Sequence, residues 1–113
     1  MKIPDYEMSF YEGLLREHPD YIDALIPLAE LYTSKGLYEK GLDVDLRLSQ
    51  LRKKDPVIHY NLACSLCLVG RKKEALTVLK RAIRLGYSDF DHLRRDSDLK
   101  ILQGDPEFEK LIP

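Results

Sequence analysis

The sequence contains two near-copies of a 34-residue segment, and this internal repeat constrains the fold more than any other feature. When 34 is subtracted from the residue numbers of the second copy, its small and apolar residues align with those of the first. The aligned pairs are Leu62 with Leu28, Ala63 with Ala29, Gly70 with Gly36, Ala75 with Gly41, Leu76 with Leu42, and Leu85 with Leu51. Repetition at this period is typical of stacked helical units, each of which covers an apolar face of its neighbour. The sequence therefore predicts one all-α domain, 1–113, built from repeated helix pairs.

The spacing of apolar residues predicts where the first helices lie. Apolar residues recur at helical spacing in 5–17, and we expect the segment 5–19 to be a lid helix over the N-terminal end of the stack. The first repeat, 22–55, follows Asp20, a residue type that commonly caps a helix N-terminus. Pro27 lies inside its first helix. We expect a bend there without a break, because the apolar spacing continues through the proline.

The second repeat, 56–89, begins at Asp55-Pro56, an N-cap residue followed by a proline at the first helical position. After Gly86 the pattern weakens, and Asp96 occupies the place that a leucine holds in both copies. We predict that 90–113 forms short helices that act as a degenerate cap, since the terminal unit of a stack must present a polar outer face. The sequence lacks the alternation of apolar and polar residues that is typical of strands.

Both copies resemble the tetratricopeptide repeat, whose 34 residues follow the pattern W-x2-L-G-x2-Y, then A-x3-F, A and P. The matching segments are Leu25-x2-Leu28-Ala29-x2-Tyr32 in the first copy, and His59-x2-Leu62-Ala63-x2-Leu66 with Ala75-x3-Leu79 in the second. The chain departs from the pattern at Asp45, where an aromatic residue is usual, and at Lys53 and Tyr87, where proline is usual. The resemblance implies a right-handed α-solenoid of antiparallel helix hairpins that acts in protein–protein interaction.

The resemblance also implies where a partner binds, because members of this family bind partners in a concave groove lined by the first helix of each repeat. The residues that match such positions are Ile26, Glu30 and Ser34 in the first copy, and Tyr60, Asn61, Cys64 and Cys67 in the second. The second set is unusually apolar for a surface. It fits a site for an apolar peptide, and it fits equally a surface that the C-terminal helices cover.

The two cysteines have the spacing of a redox motif, but their surroundings do not favour catalysis. Cys64 and Cys67 fall in an apolar helix, where burial raises a thiol pKa and so disfavours the reactive thiolate. Two sulfurs also supply only half of a tetrahedral metal site, and His59 is the nearest histidine. We therefore expect no metal site, no cofactor and no enzymatic activity.

Charge is unevenly distributed along the chain, although the formal net charge is −1. Residues 1–51 contain five Lys or Arg and ten Asp or Glu, 52–86 contain nine and two, and 87–113 contain four and seven. The basic middle either attracts an acidic partner, pairs within the molecule, or lies on solvated helix faces. A nucleic-acid site is not expected, because the basic strip lacks interleaved exposed aromatic residues.

The remaining expectations concern location and partners. The chain contains no apolar run near the roughly 18 residues of a membrane span and no apolar signal segment at its N-terminus, so we expect no membrane contact. Two isolated cysteines favour a reducing, cytoplasmic setting. The predicted function is non-catalytic binding of a peptide or partner helix. The alternative is self-association into homo-oligomers, and a thiol redox enzyme is a more distant third.

Overall fold

A computed structural model describes residues 5–113, which fold into helices without any strand in that range. Five longer helices come first: α1 Tyr6–Glu17, α2 Ile22–Ser34, α3 Tyr38–Leu51, α4 Pro56–Leu68 and α5 Lys72–Arg84. Three short ones follow: α6 Phe90–Arg95, a 3₁₀ helix Ser97–Leu102, and α7 Pro106–Leu111. The predicted all-α class is confirmed. None of the helices described is both long enough and apolar enough to cross a lipid bilayer.

The helix boundaries repeat with the same 34-residue step as the sequence. Helix α4 begins and ends 34 residues after α2, and α5 begins 34 residues after α3. Gly36 and Gly70 follow the first helix of each pair with φ angles of +76° and +83°, a left-handed conformation that favours glycine. The amide of Leu37 donates a hydrogen bond to the carbonyl oxygen of Tyr32 (2.8 Å), and the amide of Arg71 donates one to the carbonyl oxygen of Leu66 (2.9 Å). This is the Schellman motif, which satisfies carbonyls at the helix end.

The helix starts confirm one predicted cap and correct another. Asp55 caps α4 by accepting hydrogen bonds from the amides of Val57 (2.9 Å) and Ile58 (3.1 Å), as expected. The prediction of Asp20 as the cap of α2 is wrong, because Tyr21 holds the N-cap position. The carboxylate of Asp20 instead pairs with the guanidinium of Arg47 on α3. Asp20 therefore makes a long-range ion pair, although its residue type locally favours capping a helix.

Small residues lie where helices pack most closely. Ala29 and Ala63 are both buried, and consecutive helices contact one another from α1 to α5. A Cβ atom added at Gly41 would lie 2.9 Å from the hydroxyl oxygen of Thr33, which is closer than side chains tolerate. Helix α2 runs unbroken through Pro27, as predicted, and the expected bend at this residue stays a prediction. These contacts place the first helices of the two pairs, α2 and α4, on either side of the candidate site.

The C-terminal segment, residues 90–113, belongs to the main apolar core. Leu93, Leu99, Leu102 and Phe108 are fully buried and share one cluster with the inner faces of α4 and α5. Asp96 caps the 3₁₀ helix by accepting a hydrogen bond from the amide of Asp98 (3.0 Å). The segment thus packs on α4 as well as on α5, and this contact shapes the site.

Candidate functional site

A concave cleft of about 560 Å³ lies between α2, α4 and the start of the C-terminal segment, and we call it the α2–α4 cleft. Its principal exposed or half-buried lining residues are Ile26, Glu30, Ser34, Val57, Asn61, Leu68, His92, Asp96 and Asp98. Six of the seven groove residues named from the sequence line it, the exception being Cys67. The structure therefore brings those six together around one concavity. Their use by a partner stays a prediction.

The seven residues differ in how much surface they offer. Ile26 is 39% exposed, and Glu30, Ser34 and Asn61 are also exposed. Tyr60 is only 3% exposed, and Cys64 and Cys67 are buried as well. Of the two alternatives left open for the second set, these burials favour a surface that the C-terminal helices cover, and binding of a partner by the three side chains stays a prediction. The 3₁₀ helix packs on α4, and the tyrosine and the two cysteines share one core cluster with buried leucines of that helix.

Asp96 connects the C-terminal segment to α4 through a shared set of polar contacts. The hydroxyl of Tyr60 donates to Oδ2 of Asp96 (2.6 Å), and the thiol of Cys64 donates to the same oxygen (3.6 Å). Nε2 of His92 lies 3.2 Å from that oxygen. The ring of Tyr60 also stacks on Tyr87, with centroids 4.1 Å apart and planes 5° apart. Sequence analysis missed this role of Asp96. The available signal was an acid interrupting the leucine pattern.

The environment of the thiols opposes redox chemistry. Burial raises the pKa of Cys64, and the charges of Asp96 and Asp98 raise it further. Burial and the same two carboxylates raise the pKa of Cys67 to about 12. Neither cysteine is in a disulfide, and because their pKa values are raised, both thiols hold their protons near neutral pH. A thiol nucleophile requires the opposite shift, because only the thiolate reacts.

Among residues 5–113, the structure brings together one group of atoms that could hold a metal ion, which the sequence did not suggest. Ligand atoms of Cys64, Asp96 and Asp98 lie within 4.8 Å of one another. His59, the histidine considered from the sequence, is buried elsewhere, with Nδ1 2.8 Å from the carbonyl oxygen of Asp55. Within the group, Asp96 already accepts hydrogen bonds from Tyr60 and Cys64.

Asp45 is a buried acid at the base of the α2–α4 cleft. Its carboxylate is 5% exposed and accepts a hydrogen bond from the hydroxyl of Ser65. Burial raises the pKa of Asp45 to about 6; the bond from Ser65 opposes this shift, and the charge of Glu30 adds to it. Sequence analysis noted Asp45 only as a departure from the family pattern. The residue in fact makes a polar contact between α3 and α4.

The lysines and arginines of the basic middle of the chain do not line the cleft, and two of these lysines pair with the C-terminal segment. Lys72 on α5 lies 3.0 Å from a carboxylate oxygen of Asp105, and Lys80 lies 3.4 Å from one of Glu107 on α7. Of the alternatives that the charge pattern left open, intramolecular pairing therefore accounts for these two lysines. Of the charged groups that line the cleft, Asp55 comes from this part of the chain, and the others come from the segments before and after it.

Comparisons with known proteins add one partial similarity. No protein-family model matches the chain, and no solved structure matches it. The chain is 29% identical over 87 residues to a chloroplastic protein of Arabidopsis thaliana, a match that covers 72% of this chain. The match covers 25% of the Arabidopsis protein, so this chain spans about a quarter of the length of that relative.

Proposed function

We propose that this chain is a non-catalytic protein-interaction module, a short right-handed stack of antiparallel helix hairpins of the tetratricopeptide type. The α2–α4 cleft binds a peptide or a partner helix. The proposed units are an N-terminal lid, 5–19, two repeats, 22–55 and 56–89, and a degenerate cap, 90–113. The 34-residue step between helix boundaries and the buried Ala29 and Ala63 support this arrangement.

One observation carries the proposal: the first helices of both pairs line a single concavity that offers exposed apolar side chains. Ile26 and Val57, which are 39% and 55% exposed, come from α2 and α4 respectively. Asn61 stands beside them with an exposed amide that can pair with a peptide backbone. An apolar patch rimmed by polar groups is typical of a surface that a partner covers.

The test is a quantitative capture of partners from the source cell with matched variants. Ile26→Gln removes apolar surface from the cleft, and Leu46→Gln removes a leucine of similar exposure (37%) on α3, outside the cleft. We expect the recovery of bound partners to fall about tenfold for Ile26→Gln, because losing about 1.4 kcal/mol of binding free energy has that effect. Recovery should be unchanged for Leu46→Gln. Equal recovery by both variants would contradict the proposal.

A second candidate function, self-association, is favoured by the outer face of α1. Tyr6 and Phe10 lie one helical turn apart and are both well exposed, and they form an apolar face at the N-terminal end of the described residues. Light scattering over a range of concentrations tests this function. A mass that grows with concentration, and no longer grows in Phe10→Ser, supports it, whereas a constant monomer mass excludes it.

Free cysteines in the folded chain agree with a reducing compartment, and we retain the cytoplasmic setting as part of the proposal.

A further inference from the structure

The charged groups in the α2–α4 cleft are almost all of one sign. Five carboxylates line it, and within residues 5–113 no lysine or arginine does, so His92 is the one basic side chain in the lining. Three of the five carboxylates already accept hydrogen bonds: Asp55 caps α4, Asp45 accepts from Ser65, and Asp96 accepts from Tyr60, Cys64 and the amide of Asp98. The other two, Glu30 and Asp98, are left to meet an incoming ligand, and the negative charge of Asp96 lies beside them.

Glu30 and Asp98 also lack the ion pairs that acids elsewhere in the molecule make. Asp105 and Glu107 are paired with lysines of α5, whereas in the described part of the chain no Lys or Arg nitrogen lies within 4.0 Å of a carboxylate oxygen of Glu30, Asp96 or Asp98. The basic neighbour of Asp96 is His92, whose Nε2 lies 3.2 Å from Oδ2. A Lys or Arg side chain of a ligand would therefore meet carboxylates that no lysine or arginine of the described residues neutralises.

The geometry suits a single cation shared by two acids. Carboxylate oxygens of Asp96 and Asp98 lie within 4.8 Å of each other. Burial raises the pKa of Asp98, the neighbouring charge of Asp96 raises it further, and His92 opposes the shift. An ammonium or guanidinium group placed there would hydrogen-bond to both carboxylates.

We propose that the α2–α4 cleft binds a cationic segment of a partner protein, with a Lys or Arg side chain held by Asp96, Asp98 and Glu30 and an adjacent aliphatic side chain packed on Ile26 and Val57. This inference rests on the proposed function and specifies the chemistry of the partner. The exposed apolar pair distinguishes such a segment from a free metal ion or a small polyamine, which would leave Ile26 and Val57 uncovered. The cleft therefore prefers a ligand that is both basic and aliphatic.

The probe is a library of random dodecapeptides displayed on phage and selected on the immobilised full chain in the presence of EDTA, which removes metal ions that compete for the carboxylates. Each selected peptide is synthesised together with a neutral analogue, in which norleucine replaces lysine and citrulline replaces arginine. Binding is measured by fluorescence anisotropy at low and at physiological ionic strength. We expect Lys and Arg to be enriched next to aliphatic residues, and we expect the neutral peptides to bind at least tenfold more weakly.

Two double variants with the same change in charge locate the interaction. Glu30→Gln with Asp98→Asn neutralises two of the five carboxylates of the cleft, and Glu39→Gln with Asp43→Asn neutralises two exposed acids of α3 that do not line it. Affinity for the basic peptides should fall about tenfold or more in the first variant and remain within twofold of wild type in the second. Glu30→Gln alone, at an exposed position, serves as a second cleft variant if the first unfolds at a lower temperature than wild type.

The outcomes separate this inference from the proposed function. Selected peptides that lack Lys and Arg, yet lose affinity for Ile26→Gln, would overturn the inference and leave the cleft as a binding site. Basic peptides that bind both double variants equally well would also overturn it, because attraction to the acidic surface as a whole would then explain their selection. The absence of any peptide whose affinity depends on the cleft would overturn both.

Discussion

The same face of α2 and of α4 meets two different environments. Ile26, Glu30 and Ser34 on α2 correspond by the 34-residue step to Tyr60, Cys64 and Leu68 on α4. All three α2 residues are exposed, whereas Tyr60 and Cys64 are buried and Leu68 is half-buried. The C-terminal segment makes this difference, because it packs on α4. Helices α2 and α4 hold the same position in their repeats, yet α2 offers exposed residues to the cleft, whereas the C-terminal segment covers part of α4.

The difference also explains the composition of the two helices. Helix α4 has nine buried residues, among them the polar His59 and Ser65, whereas α2 has five, all apolar or tyrosine. A helix that is apolar all round must be covered on more than one side. The unusual apolarity of the second groove set therefore follows, in large part, from contact with the chain's own C-terminal residues.

The largest expected effect comes from weakening the segment that covers α4. Phe108→Ala empties a fully buried site in the main core and should lower the free energy of unfolding by about 3–5 kcal/mol. Cys64 should react faster with a small thiol reagent as its cover loosens. Phe10→Ala, at a well-exposed position on α1, is the matched control and should change stability by less than about 0.5 kcal/mol. Slow thiol reaction in a destabilised Phe108→Ala would show that the cover depends on other contacts.

Asp45→Asn tests the buried acid between the two helix pairs. The pKa of Asp45 rises from 3.8 to about 6 on folding, so its contribution to stability is fully present below about pH 4 and is lost as the pH rises through 6. The corresponding cost at higher pH is at most about 3 kcal/mol. We therefore expect Asp45→Asn to be more stable than wild type at about pH 8, with an advantage that disappears below about pH 4.

Urea unfolding across this pH range measures the effect, with Asp43→Asn as the control because Asp43 lies exposed on the same helix. A constant difference between Asp45→Asn and wild type at every pH would mean that the pKa of Asp45 does not change on folding.

Alanine-to-leucine substitutions compare the helix packing in the two copies directly. Ala63→Leu adds volume at a fully buried position and should cost roughly 1–3 kcal/mol. Ala29 is 6% exposed, so Ala29→Leu should cost less. Thermal unfolding of both variants shows which of the two substitutions lowers stability more. If both melt at the wild-type temperature, neither alanine marks a close helix contact.

The smallest effect is expected at the turns, where the two copies should behave alike. Gly70→Val places a branched residue at a positive φ and should cost roughly 1–2 kcal/mol, and Gly36→Val should cost the same. A Cβ atom at either glycine would meet nothing within 4 Å, so the cost is one of backbone conformation alone. Unequal losses of melting temperature would show that the two turns differ in a way that their backbone angles do not reveal.

Much of the local structure follows from signals that act within a few residues. Asp55-Pro56 predicted the start of α4, and the glycine-ended apolar runs predicted both helix pairs. The same kind of local signal gave a wrong prediction at Asp20, which was expected to cap α2. Its ion-pair partner, Arg47, is 27 residues away, and a pattern of neighbouring residues contains no information about so distant a contact.

The sequence by itself determined that the described chain is helical, where its longer helices begin and end, and that two of its helix pairs share one design. Only the tertiary structure decided which groove residues stay open and which sign of charge the cleft carries. The physical reason is distance along the chain. The hydrogen bond from Tyr60 to Asp96 joins residues 36 apart, so the burial of one and the position of the other's carboxylate in the cleft arise only when the C-terminal segment folds back onto α4.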